Sequence, residues 1–232
     1  MSKSGWFSPP GVSAIAAVIF AFIAFFKDTL LKWCNRPKLR AELIRQSPDT
    51  SLIYDSEGYP LLYFRLKVWN DGRTAADKVE VFAKKLQKKE GEELQDLTDF
   101  LPMNLTWSHL PRNENIYLPT IPPQTFKHCD LGHIEGLSFD VGSPLWKIVV
   151  RTNALFKNNP DLNASSRYFV LSKPITANNY ENYLPKGEYL LTLVLSAANS
   201  KPREIKIRII HNGMWFEELE KFLTEGSFVE II

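Results

Sequence analysis

Cysteine is scarce in this chain, one-sided charge is small, and the common nucleotide and hydrolase signatures are missing. Two cysteines in 232 residues, Cys34 and Cys129, are too few for a disulfide framework, so both are expected as reduced thiols. The formal net charge is only +2. Residues 1–45 hold seven Lys/Arg against Asp28 and Glu42, which leaves the remainder at −3. A mildly acidic body lacks the electrostatic footprint that phosphate-backbone binding needs, so nucleic acid is not expected as a partner. There is no G-x4-G-K-[ST], no G-x-G-x-x-G, no G-x-S-x-G and no H-E-x-x-H, and no cofactor is expected. No linker-like composition and no internal repeat divides the chain.

What is present begins with an uncharged run, "PPGVSAIAAVIFAFIAFF", residues 9–26. Eighteen helical residues span about 27 Å, close to the hydrocarbon thickness of a bilayer. Pro9 and Pro10 suit a helix start, and Trp6 and Trp33 flank the run where interfacial aromatics sit. A cleaved signal peptide would need a small-residue cleavage site, whereas "KDTLLKWCNRPKLR" follows. The expected organisation is a short extracytoplasmic N-terminus (1–8), a transmembrane helix (9–26), a basic juxtamembrane segment (27–38) and a β-sandwich (39–232). Lys27, Lys32, Arg36, Lys38, Arg40 and Arg45 follow the span, and only Lys3 precedes it. The positive-inside rule therefore puts the body in the cytoplasm, beneath the plasma (inner) membrane, where the sequons at Asn104 and Asn163 would stay unmodified.

At 100° per residue, Ser13, Ala17, Ala21 and Ala24 fall within a stripe of about 80°, continued by Asp28. Ile15, Phe22 and Phe26 lie opposite. Small residues at this spacing allow close helix approach, so the stripe is a candidate packing face for a homo-oligomer.

After Pro37 the period becomes two. "YPLLYFRLKVWNDG" sets Leu62, Phe64, Leu66 and Val68 against Tyr63, Arg65, Lys67 and Trp69, which reads as a strand with one buried face. Asn70-Asp71-Gly72 ends it, and Val79, Val81 and Ala83 resume on one side. "KKLQKKEGEEL" reads as a solvated hairpin end. Further strands are expected at 145–152, 168–172, 188–197 and 204–210, with Tyr189, Leu191, Leu193 and Leu195 sharing a face. A short helix is expected at 215–223. Many short strands with turn residues between them predict an all-β sandwich. Residues 151–186 read as long loops, either recognition loops or structural insertions. Trp107, Trp146 and Trp215 read as core residues or partner anchors.

"VWNDGRTAADKVEV" resembles the V-x-N-x-G-x3-A-x2-V-x-V signature of prokaryotic immunoglobulin-like modules of the CARDB type, through Val68, Asn70, Gly72, Ala76, Val79 and Val81. "GEYLLTLVL" is similar to the G-x-Y strand that closes many such sandwiches. The resemblance implies an immunoglobulin-like fold in which the Tyr189 hydroxyl bonds back to a nearby loop.

The most chemical stretch is "FKHCDLGHI", residues 126–134. A zinc site needs three or four converging ligands. On a strand His128 and Asp130 share a face, and a turn at Gly132 could swing His133 back to them. Alternatively, Cys129 and His133 could converge with His109. The plainer reading packs Phe126 and Cys129 inward near a bulge, with Asp130 capping a Leu131-Gly132 turn and both histidines partly exposed. Asp130 also works against a reactive Cys129 thiolate. Ser108 and His109 point to opposite faces of any strand, a poor nucleophile–base couple. His211, in "IIHNGMW", reads as a surface or loop residue.

The leading expectation is a single-pass membrane protein, not an enzyme, that presents its sandwich as a protein-binding or assembly module. Its partners would be the lipid bilayer and an unidentified protein. The alternative is an oligomeric membrane effector of a stress or phage-defence system with a sensing soluble domain. The third is a metal-dependent enzyme built on the His128–His133 cluster.

Overall fold

A computed structural model describes residues 9–54, 60–108, 110, 117–135, 167–173 and 182–232, without the side chains of 9–14, 28–34 and 135. The chain divides into two units, Met1–Arg36 and Pro37–Ile232.

The first unit is helix α1, Pro9–Cys34. Its start matches the two prolines, which need no intrahelical N–H partner. The helix does not stop at Phe26 but continues through Lys27–Cys34. No glycine or proline occurs between Gly11 and Pro37, and the residue before a proline disfavours helix. The expected boundary between span and juxtamembrane segment is therefore not a break in secondary structure. Among its described side chains, 15–27, Val18 is 69% exposed, Phe20 71% and Phe25 81%. Among the described residues, which leave out the side chains of 9–14 and 28–34 of α1, no helix is long and apolar enough to cross a membrane.

The second unit is mainly β. Its strands are β1 (Leu39–Glu42), β2 (Thr50–Tyr54), β3 (Pro60–Asn70), β4 (Ala76–Glu90), β5 (Glu93–Asp96), β6 (Met103–Asn104) and β7 (Thr106–Trp107). Then follow β8 (Leu118–Ile121), β9 (Thr125–Glu135), β10 (Phe169–Leu171), β11 (Tyr183–Leu184), β12 (Gly187–Ser196) and β13 (Arg203–His211). Helix α2 (Leu219–Glu225) and β14 (Phe228–Ile231) complete it. All described pairings are antiparallel. One sheet runs β1-β3-β9-β10-β11, with β2 also on β3 and β7 on β9. The other runs β14-β13-β12-β4-β5, with β6 and β8 also on β4.

Alternation explains how the two layers meet. Leu62, Phe64, Leu66 and Val68 of β3, with Cys129, Leu131 and Ile134 of β9, form one core with Val79, Val81, Ala83 and Leu86 of β4 and Tyr189, Leu191, Leu193 and Leu195 of β12. Each large side chain withdrawn from water contributes about 1.5–3 kcal/mol, and this shared burial is what holds sheet to sheet. At the β4–β5 tip Gly91 takes φ 64°, a left-handed conformation that a side chain would strain.

Asn70 closes one end of the sandwich. It is fully buried, and its amide donates to the carbonyls of Thr74 (2.8 Å) and Ile121 (3.0 Å). Its Oδ1 accepts from the backbone N–H of Lys38 (3.2 Å) and Gly72 (3.0 Å). One side chain thus satisfies four main-chain groups from three segments, which only an amide with two donors and an acceptor can do.

Three expectations fare differently. The 151–186 region is not loop throughout, because Phe169–Leu171 pairs with β9 and Tyr183–Leu184 extends the same sheet. The expected strand at 145–152 lies outside the described residues, as do Trp146 and Asn163. The C-terminal helix forms at Leu219–Glu225, later than expected, and Trp215 and Phe216 instead pack edge-on against buried Phe222.

Candidate functional site

The "FKHCDLGHI" stretch is a continuous strand, so the Leu131-Gly132 turn expected from its sequence is corrected. Main-chain pairing on both sides overrides the turn signal. β9 pairs with β3 along its length and with β10 at Gly132–Ile134. The irregularity that does occur is a bulge: Arg65 pairs with Asp130 and Phe64 with Gly132, leaving Leu131 as the extra residue. Gly132 is needed there for contact. A Cβ would lie 2.5 Å from the Val170 carbonyl oxygen and 2.6 Å from the Phe169 ring.

The bulge shifts the alternation, so that Cys129, Leu131 and Ile134 face the core while His128, Asp130 and His133 face outward. Cys129 is a free, fully buried thiol. Burial, and secondarily the Asp130 charge, push its pKa well above the ordinary value. Thiolate chemistry is correspondingly suppressed.

The outward residues do not converge, because each has its own partner. His128 Nε2 lies 3.2 Å from Asp49 Oδ1. Asp130 accepts from the Ser108 hydroxyl and faces Arg65 Nε at 3.4 Å. The Asx-type cap expected of Asp130 is replaced by these two long-range contacts. His133 stacks on Tyr63 with ring centroids 5.2 Å apart. Among the described residues no group of three or more His, Cys, Asp or Glu could hold a metal ion. His109 lies outside the described residues.

Asp49 is the member of this face that sequence reading missed. It ends the Leu43–Asp49 excursion between β1 and β2, both of which pair with β3. Its carboxylate is 0% exposed and sits between His128 and Lys67, whose Nζ is 3.2 Å from Oδ2. That second contact is an ion pair without hydrogen-bond alignment. The Asp49 carbonyl accepts from Arg65 N–H at 2.7 Å. A buried carboxylate is tolerated when a cation and a hydrogen-bonding ring stand against it, here Lys67 and His128, so Asp49 staples the excursion onto the sheet. Around it, Arg40, Arg65 and Lys67 lie 5.5 Å from the rings of Trp69, Tyr63 and Phe126. Trp69 and Phe126 pack at 4.6 Å, and Trp69 Nε1 donates to Glu42. The face is a half-buried lattice of aromatic rings and paired charges, suited to presenting a rigid surface.

His211 is also corrected: it is buried, 1% exposed, at the last position of β13. Nε2–H donates to the Arg167 carbonyl at 2.7 Å, which leaves Nδ1 to accept from the Ser227 hydroxyl at 2.8 Å. Burial lowers its pKa from 6.5 to about 4, with the Arg167 charge acting in the same direction. The turn chemistry of "HNG" is real but begins one residue later, with Gly213 at φ 78°.

Tyr189 makes the contact that the immunoglobulin-like resemblance implies. Its buried hydroxyl donates to the Pro185 carbonyl at 2.9 Å, and burial raises its pKa. Trp107 is core, 2% exposed, and Trp215 is partly buried.

On α1, Ala17, Ala21 and Ala24 are exposed, and so are Ile15 and Phe22 opposite them. The side chains of Ser13 and Asp28 lie outside those described. No protein-family model matches the chain, and no curated protein matches it.

Proposed function

We propose that the chain is a single-pass membrane protein whose helix anchors an immunoglobulin-like β-sandwich on the cytosolic side, where the sandwich serves as a protein-binding or assembly module. The observation that carries this reading is the outward apolar surface of α1. Ile15, Val18, Ile19, Phe20, Phe22, Ile23 and Phe25 are each at least half exposed within a segment that has no charge from Pro9 to Phe26. Contiguous apolar surface of that extent needs an apolar environment, and a bilayer supplies it. The cationic excess after the span supports the cytosolic orientation.

Two observations support the module reading. The Asn70 and Tyr189 hydrogen bonds fit an immunoglobulin-like frame. The outer face of the first sheet supplies a rigid aromatic and ionic surface around Trp69 and Phe126. The test is a photo-crosslinking residue placed at Trp69 or Phe126 in native membranes, with a C-terminal fluorescent reporter that matures only in the cytosol. A fluorescent protein with a discrete adduct from this face is expected. A dark reporter contradicts the orientation, and monomer alone from every position contradicts the binding role.

A further inference from the structure

The sandwich has a cationic end, and it is the end at which the chain enters from α1. Strand register gathers three turns there. Leu39 pairs with Asn70, Asn70 with Thr125 and Ala76 with Ile121, while Ala198 N–H bonds to the Asp77 carbonyl. Lys38 is pinned to the same place through its backbone N–H on Asn70 Oδ1 and its carbonyl on Asp71 N–H, 2.9 Å.

Lys38, Arg73, Lys78, Lys127 and Lys201 all stand exposed on these turns and strand ends, and none forms an ion pair among the described residues. Two of the carboxylates nearby are ion-paired, while Asp77 and Glu80 hold hydrogen bonds from neutral side chains and keep their charge, two against five unpaired cations. Asp71 is taken by Arg40 at 2.8 Å, Glu204 pairs with Lys84, and Glu80 accepts from Ser196. Asp77 accepts from Asn199 at 3.2 Å and Thr120 at 3.3 Å. At the other end of β4 the exposed Glu90, Glu92 and Glu93 of the hairpin tip stand beside Lys85, Lys88 and Lys89, with Lys88 paired to Glu90 and Lys85 to Asp96, so the charges there nearly balance. The unpaired cations thus gather at the entry end, although the body's total charge is slightly negative.

We propose that this cationic end docks on the anionic phospholipid headgroups of the membrane that α1 enters. The proposal rests on the anchored reading above and adds a contact to it. Only residues 35–37 separate the last helical residue, Cys34, from Lys38, and three extended residues reach about 11 Å. Tethering at that length supplies a high effective concentration, so individually weak headgroup contacts suffice. Phosphates of a lipid surface suit unpaired lysines spread over three turns. Duplex nucleic acid is disfavoured by the slightly negative total charge of the body.

The experiment places the full chain in vesicles of phosphatidylcholine alone or with about one-third phosphatidylglycerol. Flotation reports anchoring, and amine labelling read by mass spectrometry reports docking. In anionic vesicles labelling of Lys38, Lys78, Lys127 and Lys201 should fall at least about fivefold relative to Lys221 on α2, and high salt should restore it. An Arg73→Glu, Lys201→Glu variant should lose that protection. Protein that floats in both compositions with equal labelling overturns the docking and leaves the anchor standing. Flotation on anionic vesicles only supports docking and removes the anchor. Flotation on neither overturns both. Equal protection by duplex DNA added to neutral vesicles also overturns the lipid assignment.

Discussion

Acid should destabilise the sandwich through His211 across a defined window. Folded, the imidazole titrates at about 4 because burial opposes its charge; unfolded, it titrates near 6.5. The unfolded chain therefore binds the proton first as pH falls. Above 6.5 neither state is protonated and the neutral, hydrogen-bonded ring contributes fully. Between 6.5 and 4 stability drops by about 1.4 kcal/mol per unit, and below 4 the loss is complete. The total is about 3 kcal/mol, a large share of a typical domain's stability. Among the described residues the groups that act on the ring are the Ser227 hydroxyl and the Arg167 carbonyl and guanidinium; the carbonyl's hydrogen bond opposes the shift in part, and none of them supplies a negative charge to rescue the imidazolium. Surface carboxylates whose pKa values are lowered by cations, such as half-buried Glu188 beside Arg208 and exposed Asp96 beside Lys85, add acid sensitivity at lower pH. The assay must therefore be a difference. Urea unfolding of the full chain in detergent, followed by tryptophan fluorescence from pH 7.5 to 4, is compared with a His211→Gln variant. The variant should start less stable and lose less on acidification. Equal slopes between pH 6.5 and 4 would refute the burial argument.

Other perturbations probe the frame. Asn70→Ala strands two N–H donors and two carbonyls and should cost about 3 kcal/mol or more, read as a lower urea midpoint. Gly132→Ala drives a methyl into the Val170 carbonyl and the Phe169 ring, and a loss of about 1–3 kcal/mol is expected by thermal melting. An unchanged melting temperature would mean that β10 does not pair here. Cys129 should resist a thiol reagent in the native state and react in denaturant, as resolved by peptide mass spectrometry.

Legibility in the sequence followed the range of the interactions. Strands with one clean face, β3 and β12, were readable because Leu62–Val68 and Tyr189–Leu195 obey period two without help from partners. β9 was misread where Asp130, Gly132 and His133 imitate a turn. What keeps it straight is pairing with Tyr63–Arg65 and Phe169–Leu171, which no local pattern announces. Glycine at 132 serves close packing, and turn formation is not its role. His211 was misassigned for the same reason, since its partners, Arg167 and Ser227, arrive from 44 and 16 residues away. Asp49 sits in "SPDT", indistinguishable from turn chemistry until Lys67 and His128 are brought to it. The short edge strands β1, β2 and β14 are too brief to show a period. Asn70 was legible as a signature but not as a reason; its four hydrogen bonds supply the reason.

Membrane anchorage by α1 is tested most directly by alkaline carbonate extraction of native membranes, followed by flotation. Wild type is compared with a Phe20→Arg, Ile23→Arg variant. Two arginines at mid-helix add about 5–7 kcal/mol to the cost of insertion. Wild type should remain with the floated membranes, while the variant is released with the near-ultraviolet circular dichroism of an intact sandwich. Release of wild type by carbonate would contradict the anchor and the functional reading built on it.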